Sequence, residues 1–110
     1  MLSLLLTLLT PTAEAANTDW FGKYAESIYL CDTSYFRFSQ GKMTVVSGNS
    51  VSAFDMLYIE GTSCLWMYNS AETNVGKFCF IDAASNFSWI EIGVKLHGQS
   101  SDYSRLQRCN

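Results

Sequence analysis

Apolar and polar residues alternate with a period of two from residue 35 onwards, and short turn-forming segments interrupt the alternation. In a β-strand this period places every second side chain on the same face. In the clearest case, Phe36 and Phe38 alternate with less apolar neighbours before Gln40-Gly41 and a second alternating run. A residue pair containing glycine between two such runs is typical of a β-hairpin. The pattern therefore predicts a chain built mainly of β-strands.

The alternating runs predict about six strands separated by short turns. They are expected at residues 35–39, 42–45, 51–60, 64–68, 77–81 and 87–96. Because a parallel crossover needs about a dozen or more residues, such short connections make neighbouring strands antiparallel. The expected architecture is an antiparallel six-stranded meander curled into a small barrel or half-barrel, in a mainly β class that borders on α+β.

Helix is expected only at the two ends of this domain. In residues 18–30, Trp20, Tyr24 and Ile28 recur every four residues, a spacing that places them on one helical face. Thr18 or its neighbour would cap the N-terminus of this short helix. Near the other end of the chain, Asp102 is expected to cap a short C-terminal helical turn.

The first fifteen residues have the layout of an export signal. Residues 1–9 read MLSLLLTLL, Pro11 follows, and Ala13 and Ala15 provide small side chains before a cleavage point. No lysine or arginine precedes the apolar run, and the alternative is a buried N-terminal helix of the fold. We expect residues 1–15 to be a secretory signal peptide and residues 16–110 to form one domain, secreted or periplasmic, with no stable membrane span after signal removal.

Four cysteines, Cys31, Cys64, Cys79 and Cys109, lie in the expected mature domain. An even number of cysteines in a short exported chain indicates two disulfides. Of the three connectivities, we favour Cys64–Cys79, which would join neighbouring strands of one hairpin, together with Cys31–Cys109, which would tie the beginning of the sheet to the end of the chain. Zinc is the weaker alternative, because the spacings of 33, 15 and 30 residues match no zinc ribbon or finger.

The sequence contains few signs of catalysis, cofactor binding or nucleic-acid binding. His97 is the only histidine, and no G-x-S-x-G motif surrounds a serine that it would activate. Neither an H-E-x-x-H motif, a calcium loop nor a phosphate-binding loop occurs, so no metal or cofactor is predicted. The basic residues are scattered and the net charge is −3, which disfavours nucleic acid.

Aromatic residues make up 15% of the chain, and most are expected to form the core. The strand at residues 64–68 is apolar on both faces, with Trp66 and Tyr68 on one and Leu65 and Met67 on the other. Either both faces of this strand are buried, or one of them is a binding surface. The candidate binding surface consists of Trp66, Tyr68, Tyr58 and Trp89, because tyrosine and tryptophan are enriched in binding hot spots.

The hypothesis that follows is a non-catalytic exported domain that engages a protein partner through an aromatic-rich face or loop. Two alternatives remain: a β-barrel that binds a small ligand inside, and a small secreted hydrolase that uses His97. A core crowded with large aromatic residues is expected to leave little room for a ligand. An internal cavity of at least about 300 Å³ would favour the ligand-binding barrel.

Overall fold

The computed structural model describes residues 19–110, and the predicted signal peptide lies outside them. The described chain is mainly β and forms a closed antiparallel barrel in which each strand pairs with the next and the last pairs with the first. The eight strands are β1 (Gly22–Ala25), β2 (Ser34–Ser39), β3 (Lys42–Ser47), β4 (Ser50–Tyr58), β5 (Cys64–Tyr68), β6 (Asn74–Ala83), β7 (Trp89–Leu96) and β8 (Asp102–Arg108). A 3-10 helix spans Ile28–Leu30.

The expected number of six strands was wrong because strands replace both terminal helices. Gly22 has a φ of 141°, which no α-helix contains, and β1 begins at this residue and pairs with β2. Within residues 19–110 only Ile28–Leu30 is helical, a single 3-10 turn whose N-terminus is capped by the Ser27 side chain. The turn expected at Asp102 is also wrong, because this residue begins β8.

Side chains alternate between the two faces of the sheet, and those on the inner face form the core. On β5, Leu65 and Met67 are buried inside the barrel, whereas Trp66 and Tyr68 lie on its outer face. The apolar residues of β7 follow the same rule, with Ile90 and Ile92 inside. The buried core contains Trp20, Tyr24, Phe38, Met43, Leu65, Met67, Phe78, Ile90, Ile92 and Leu106.

Two disulfides join Cys31 to Cys109 and Cys64 to Cys79, which are the pairs that the sequence favoured. The second pair crosslinks β5 and β6 at directly opposite positions of the ladder. The first ties the segment after the 3-10 helix to the residue that follows β8. Two disulfides are compatible with an oxidising extracellular or periplasmic location.

The barrel closes through a short seam between β1 and β8. Only two residue pairs, Tyr24↔Arg108 and Ala25↔Gln107, join these strands. The pairing of β8 with β7 is much longer and extends to Val94↔Asp102. The N-terminal half of β8 therefore continues beyond the last residue of β1.

Trp20 closes the end of the barrel from which β1 starts. Its side chain is only 8% exposed, and its ring lies 4.5 Å from the ring of Phe80 and 5.2 Å from that of Phe38. The Tyr24 hydroxyl donates a hydrogen bond of 2.7 Å to the Trp20 carbonyl oxygen. Burial raises the pKa of the Tyr24 phenol, and the positive charge of Arg108 acts in the opposite direction.

Arg108 holds the segment that carries Trp20 in place. Its guanidinium donates hydrogen bonds to the carbonyl oxygens of Asp19, at 2.9 Å, and Phe21, at 2.6 Å. A Cβ atom at Gly22 would lie 3.2 Å from this guanidinium. The close approach of strand and guanidinium therefore depends on glycine at this position.

Gly76 on β6 is a further point of close backbone approach, and its replacement has a predictable cost. A Cβ at this position would collide with the carbonyl oxygen of Lys95 on β7. We expect Gly76→Ala to lower the free energy of unfolding by about 2 kcal/mol or more in urea denaturation, because backbone atoms must move. Gly93→Ala is the matched control, since its new methyl group meets side chains rather than backbone: the exposed Tyr103 ring, which can rotate away, and Ile81 Cδ1 at an ordinary contact distance of 3.6 Å. Equal losses for the two variants would contradict this account.

No helix in the described residues 19–110 is long and apolar enough to cross a membrane.

Candidate functional site

The two ends of the barrel differ in how they are closed. Trp20 packs across one end, hereafter the closed end. The opposite end, hereafter the open end, is bordered by the connections that follow β1, β3, β5 and β7. These connections are residues 26–33, 48–49, 69–73 and 97–101.

A cavity of about 530 Å³ occupies the open end. This volume exceeds the value of about 300 Å³ at which ligand pockets begin. Its apolar lining consists of Phe36, Met43, Val45, Phe54, Met67, Ile92, Val94 and Leu96. The expectation that aromatic side chains leave little interior room is therefore wrong for this end of the barrel.

The distribution of large side chains explains why room remains. The rings of Trp20, Phe38, Phe78 and Phe80 contact one another towards the closed end. At the open end, residues directly opposite one another on β3 and β4 include the small pair Val45↔Ser52. Short inward side chains such as these leave room for the cavity at the open end.

Besides Tyr103, four polar residues line the cavity: the hydroxyl-bearing Ser52 and Ser104 and the carboxylates of Glu26 and Asp102. None of these side chains makes a hydrogen bond or an ion pair with another of residues 19–110. Glu26 directly follows β1, while Asp102 and Ser104 lie on the inward face of β8. Their polar groups are thus available to a bound molecule.

The cavity reaches the surface at the seam as well as at the open end. Tyr103, whose side chain lies on the outer face of β8 and is 72% exposed, also borders the cavity. Glu26 borders it from the other side, where β1 has ended. A ligand therefore has access near the N-terminal half of β8.

Two smaller cavities, of about 230 and 370 Å³, lie at the closed end, and Trp20 lines both. Tyr58, a member of the sequence-predicted binding surface, also borders both. Tyr58 follows Leu57 on β4, so it occupies the opposite face from the exposed Leu57 side chain. Its place in the fold is therefore the rim of the closed end.

The structure brings only two of the four predicted surface aromatics together. Trp66 and Tyr68 share the outer face of β5, and Leu57, which is 59% exposed, lies opposite Trp66 on β4. The ammonium group of Lys77 on β6 lies 5.9 Å from the centre of the Trp66 ring. A protein partner that binds through this outer face stays a prediction.

Trp89 is remote from Trp66 and Tyr68 and has a contact of its own. Trp66 is opposite Lys77 on β6, and Lys77 is opposite Lys95 on β7. The residue of β7 beside Trp66 across the sheet is therefore Lys95 and not Trp89. Lys95 lies six positions after Trp89 on the extended strand, a distance of about 20 Å. The Arg105 guanidinium lies 4.0 Å from the Trp89 ring centre, so a cation already covers this ring.

His97 has a hydrogen-bond partner that supports a structural role. Its Nε2 lies 2.5 Å from Oδ1 of Asn74, and the Asn74 amide donates to the carbonyl oxygens of Met67, at 3.1 Å, and Gly76, at 3.3 Å. These contacts surround the bulge between β5 and β6. A hydrolytic His97 would need a nucleophile or an orienting carboxylate, and neither is bonded to its ring within residues 19–110.

No group of three or more histidine, cysteine, aspartate or glutamate side chains in the described part of the chain is arranged to hold a metal ion.

Sequence reasoning missed Glu26, Ser52, Asp102 and Ser104 as cavity residues. A signal for two of them was present, because Asp102, Ser104 and Leu106 alternate with Tyr103 and Arg105. That period of two is typical of a strand with Asp102 and Ser104 on the same face as an apolar residue. Glu26 had no comparable signal, since its position depends on where β1 stops.

Comparisons of the chain with models of protein families, with curated proteins and with solved structures find no match. We therefore infer function from the geometry of the barrel.

Proposed function

We propose that this protein binds a small, largely apolar molecule in the open end of its barrel. The observation that carries the proposal is the cavity of about 530 Å³ lined by inward apolar side chains. Apolar walls with a few polar groups are typical of small-molecule sites. A non-catalytic role agrees with the contacts of His97, whose ring bonds to an amide.

The expected affinity is moderate because the cavity is open to solvent at its mouth and seam. Removing apolar surface from water stabilises a complex by about 25 cal/mol per Å². A drug-sized ligand gains about 0.3 kcal/mol per non-hydrogen atom after the costs of association. A rigid apolar probe of about 17 such atoms should therefore bind with a dissociation constant of about 200 µM.

N-Phenylnaphthylamine, a neutral apolar dye that fluoresces more strongly in apolar surroundings, tests this proposal. We expect its fluorescence to rise saturably with protein. Ser52→Trp should weaken binding about tenfold or more, because a large ring on the inward face of β4 fills the cavity. Ala53→Trp is the matched control, since its side chain lies on the outer face of the same strand.

A dye that bound the two tryptophan variants equally well would place the binding site outside the barrel. No saturable binding to the unaltered protein at millimolar concentrations would also overturn the proposal. Circular dichroism of both variants checks that the barrel remains folded, so that a loss of binding is not a loss of fold.

A further inference from the structure

The charged side chains that line the cavity are both acidic. Glu26 and Asp102 are the charged residues among the described residues that border it, and no lysine or arginine does so. Asp102 lies opposite Val94 and shares its inward face with Ser104. An apolar cavity therefore opens past two carboxylates.

The cations near this site are directed elsewhere. Lys95 alternates with Val94 and Leu96, which line the cavity, so it lies on the outer face of β7. Arg105, also on the outer face, bonds to Glu91 at 3.1 Å. The negative charge of Glu26 and Asp102 is therefore not neutralised by an ion pair within residues 19–110.

We propose that the natural ligand is an apolar cation, a molecule with a hydrocarbon or aromatic body and a protonated amine. This inference rests on the proposed function and specifies the ligand class of the same site. The body occupies the apolar cavity, and the ammonium group lies at the mouth beside Glu26 and Asp102. Because both carboxylates are exposed, the ammonium group retains water, and the desolvation cost of a buried ion pair does not arise.

The same geometry disfavours an anionic ligand. A carboxylate or sulfate at the mouth would lie beside two like charges, with no cation lining the cavity to compensate within the described residues. Like-charge juxtaposition suppresses the binding of a wrong partner. The cavity therefore discriminates by charge among molecules of equal apolar size.

Three ligands of equal chain length but different charge test the cationic ligand class separately from the existence of the binding cavity. Decylammonium, decanol and decanoate each compete with N-phenylnaphthylamine at about pH 7, where the amine is protonated and the acid ionised. We expect decylammonium to compete about tenfold better than decanol, which is the combined effect of two exposed carboxylates. Decanoate should compete more weakly than decanol.

The preference for decylammonium should shrink at 1 M NaCl, since salt shortens the Debye length from about 10 Å at 0.1 M to about 3 Å.

The double variant Glu26→Gln, Asp102→Asn should bind decylammonium and decanol about equally while retaining its affinity for decanol. Glu60→Gln is the control, because Glu60 is an exposed carboxylate in the turn between β4 and β5 at the closed end. Its preference for decylammonium should be unchanged.

Equal binding of the three ligands to the unaltered protein would overturn the cationic ligand class and leave the binding cavity intact. A preference for decylammonium that survived in the double variant would also overturn it. Failure of both the dye and all three ligands to bind would instead overturn the proposed function, and the ligand class with it.

Discussion

Replacing Cys31 and Cys109 together with alanine is expected to lower the free energy of unfolding by about 4.5 kcal/mol. The cysteines are 78 positions apart, so the disulfide closes a loop that contains most of the described chain. In the chain-entropy description, a longer closed loop restricts the unfolded chain more strongly. Since small domains have about 5–15 kcal/mol of stability, the variant should be marginally folded.

The second disulfide provides the matched comparison. Cys64 and Cys79 are 15 positions apart, and their replacement by alanine should cost only about 3 kcal/mol. Urea denaturation of the two double variants measures both losses. Cys31–Cys109 also lies close to the seam, because Cys109 follows β8 and its backbone N–H donates to the carbonyl oxygen of Lys23 on β1. An equal or larger loss for Cys64→Ala, Cys79→Ala would contradict the loop-length argument.

The seam also shows why the strand count was difficult to predict. A closed barrel needs both β1 and β8, yet β1 is only four residues long. Trp20 lies in the turn before β1, and its spacing of four residues from Tyr24 suits a helix as well as an extended segment. Pairing with β2 decides the outcome, and that pairing joins Tyr24 to Phe36, residues distant in sequence. Tertiary contacts thus override the local pattern.

The central strands were predictable because each is bounded by local turn residues. The hairpin of β2 and β3 turns at Gln40-Gly41, as the sequence indicates. The bounds of β5, Cys64–Tyr68, agree with the prediction, and its two faces separate as the alternation requires. Alternation identifies the faces of a strand but does not state which face is inside when both are apolar.

The cavity was not predictable from composition, because the interior volume at each end of a barrel depends on which side chains lie there. The aromatic count suggests a full interior, but Phe38, Phe78 and Phe80 lie with Trp20 towards the closed end. Which side chains meet depends on the register of all eight strands. Short side chains such as that of Ser52 then lie at the open end.

Replacing Trp20 with alanine is expected to lower the free energy of unfolding by about 3–5 kcal/mol. The indole is nearly buried and packs edge-on against Phe21 and Phe80, with ring centres 4.8 and 4.5 Å apart. Its removal would leave an apolar space that the barrel rim cannot easily collapse to fill. Urea denaturation, followed by circular dichroism, measures the loss.

Trp66→Ala is the matched control, because it removes the same side chain from the outer face of β5, where Trp66 is only half-buried. Its cost should stay below about 1.5 kcal/mol. If Trp20→Ala cost no more than Trp66→Ala, Trp20 would not close the barrel, and the distinction between the two ends would fail. If the expected difference is found and Trp20→Ala still binds N-phenylnaphthylamine normally, the closed end stabilises the fold independently of the binding cavity. Stability and ligand binding would then depend on opposite ends of one barrel.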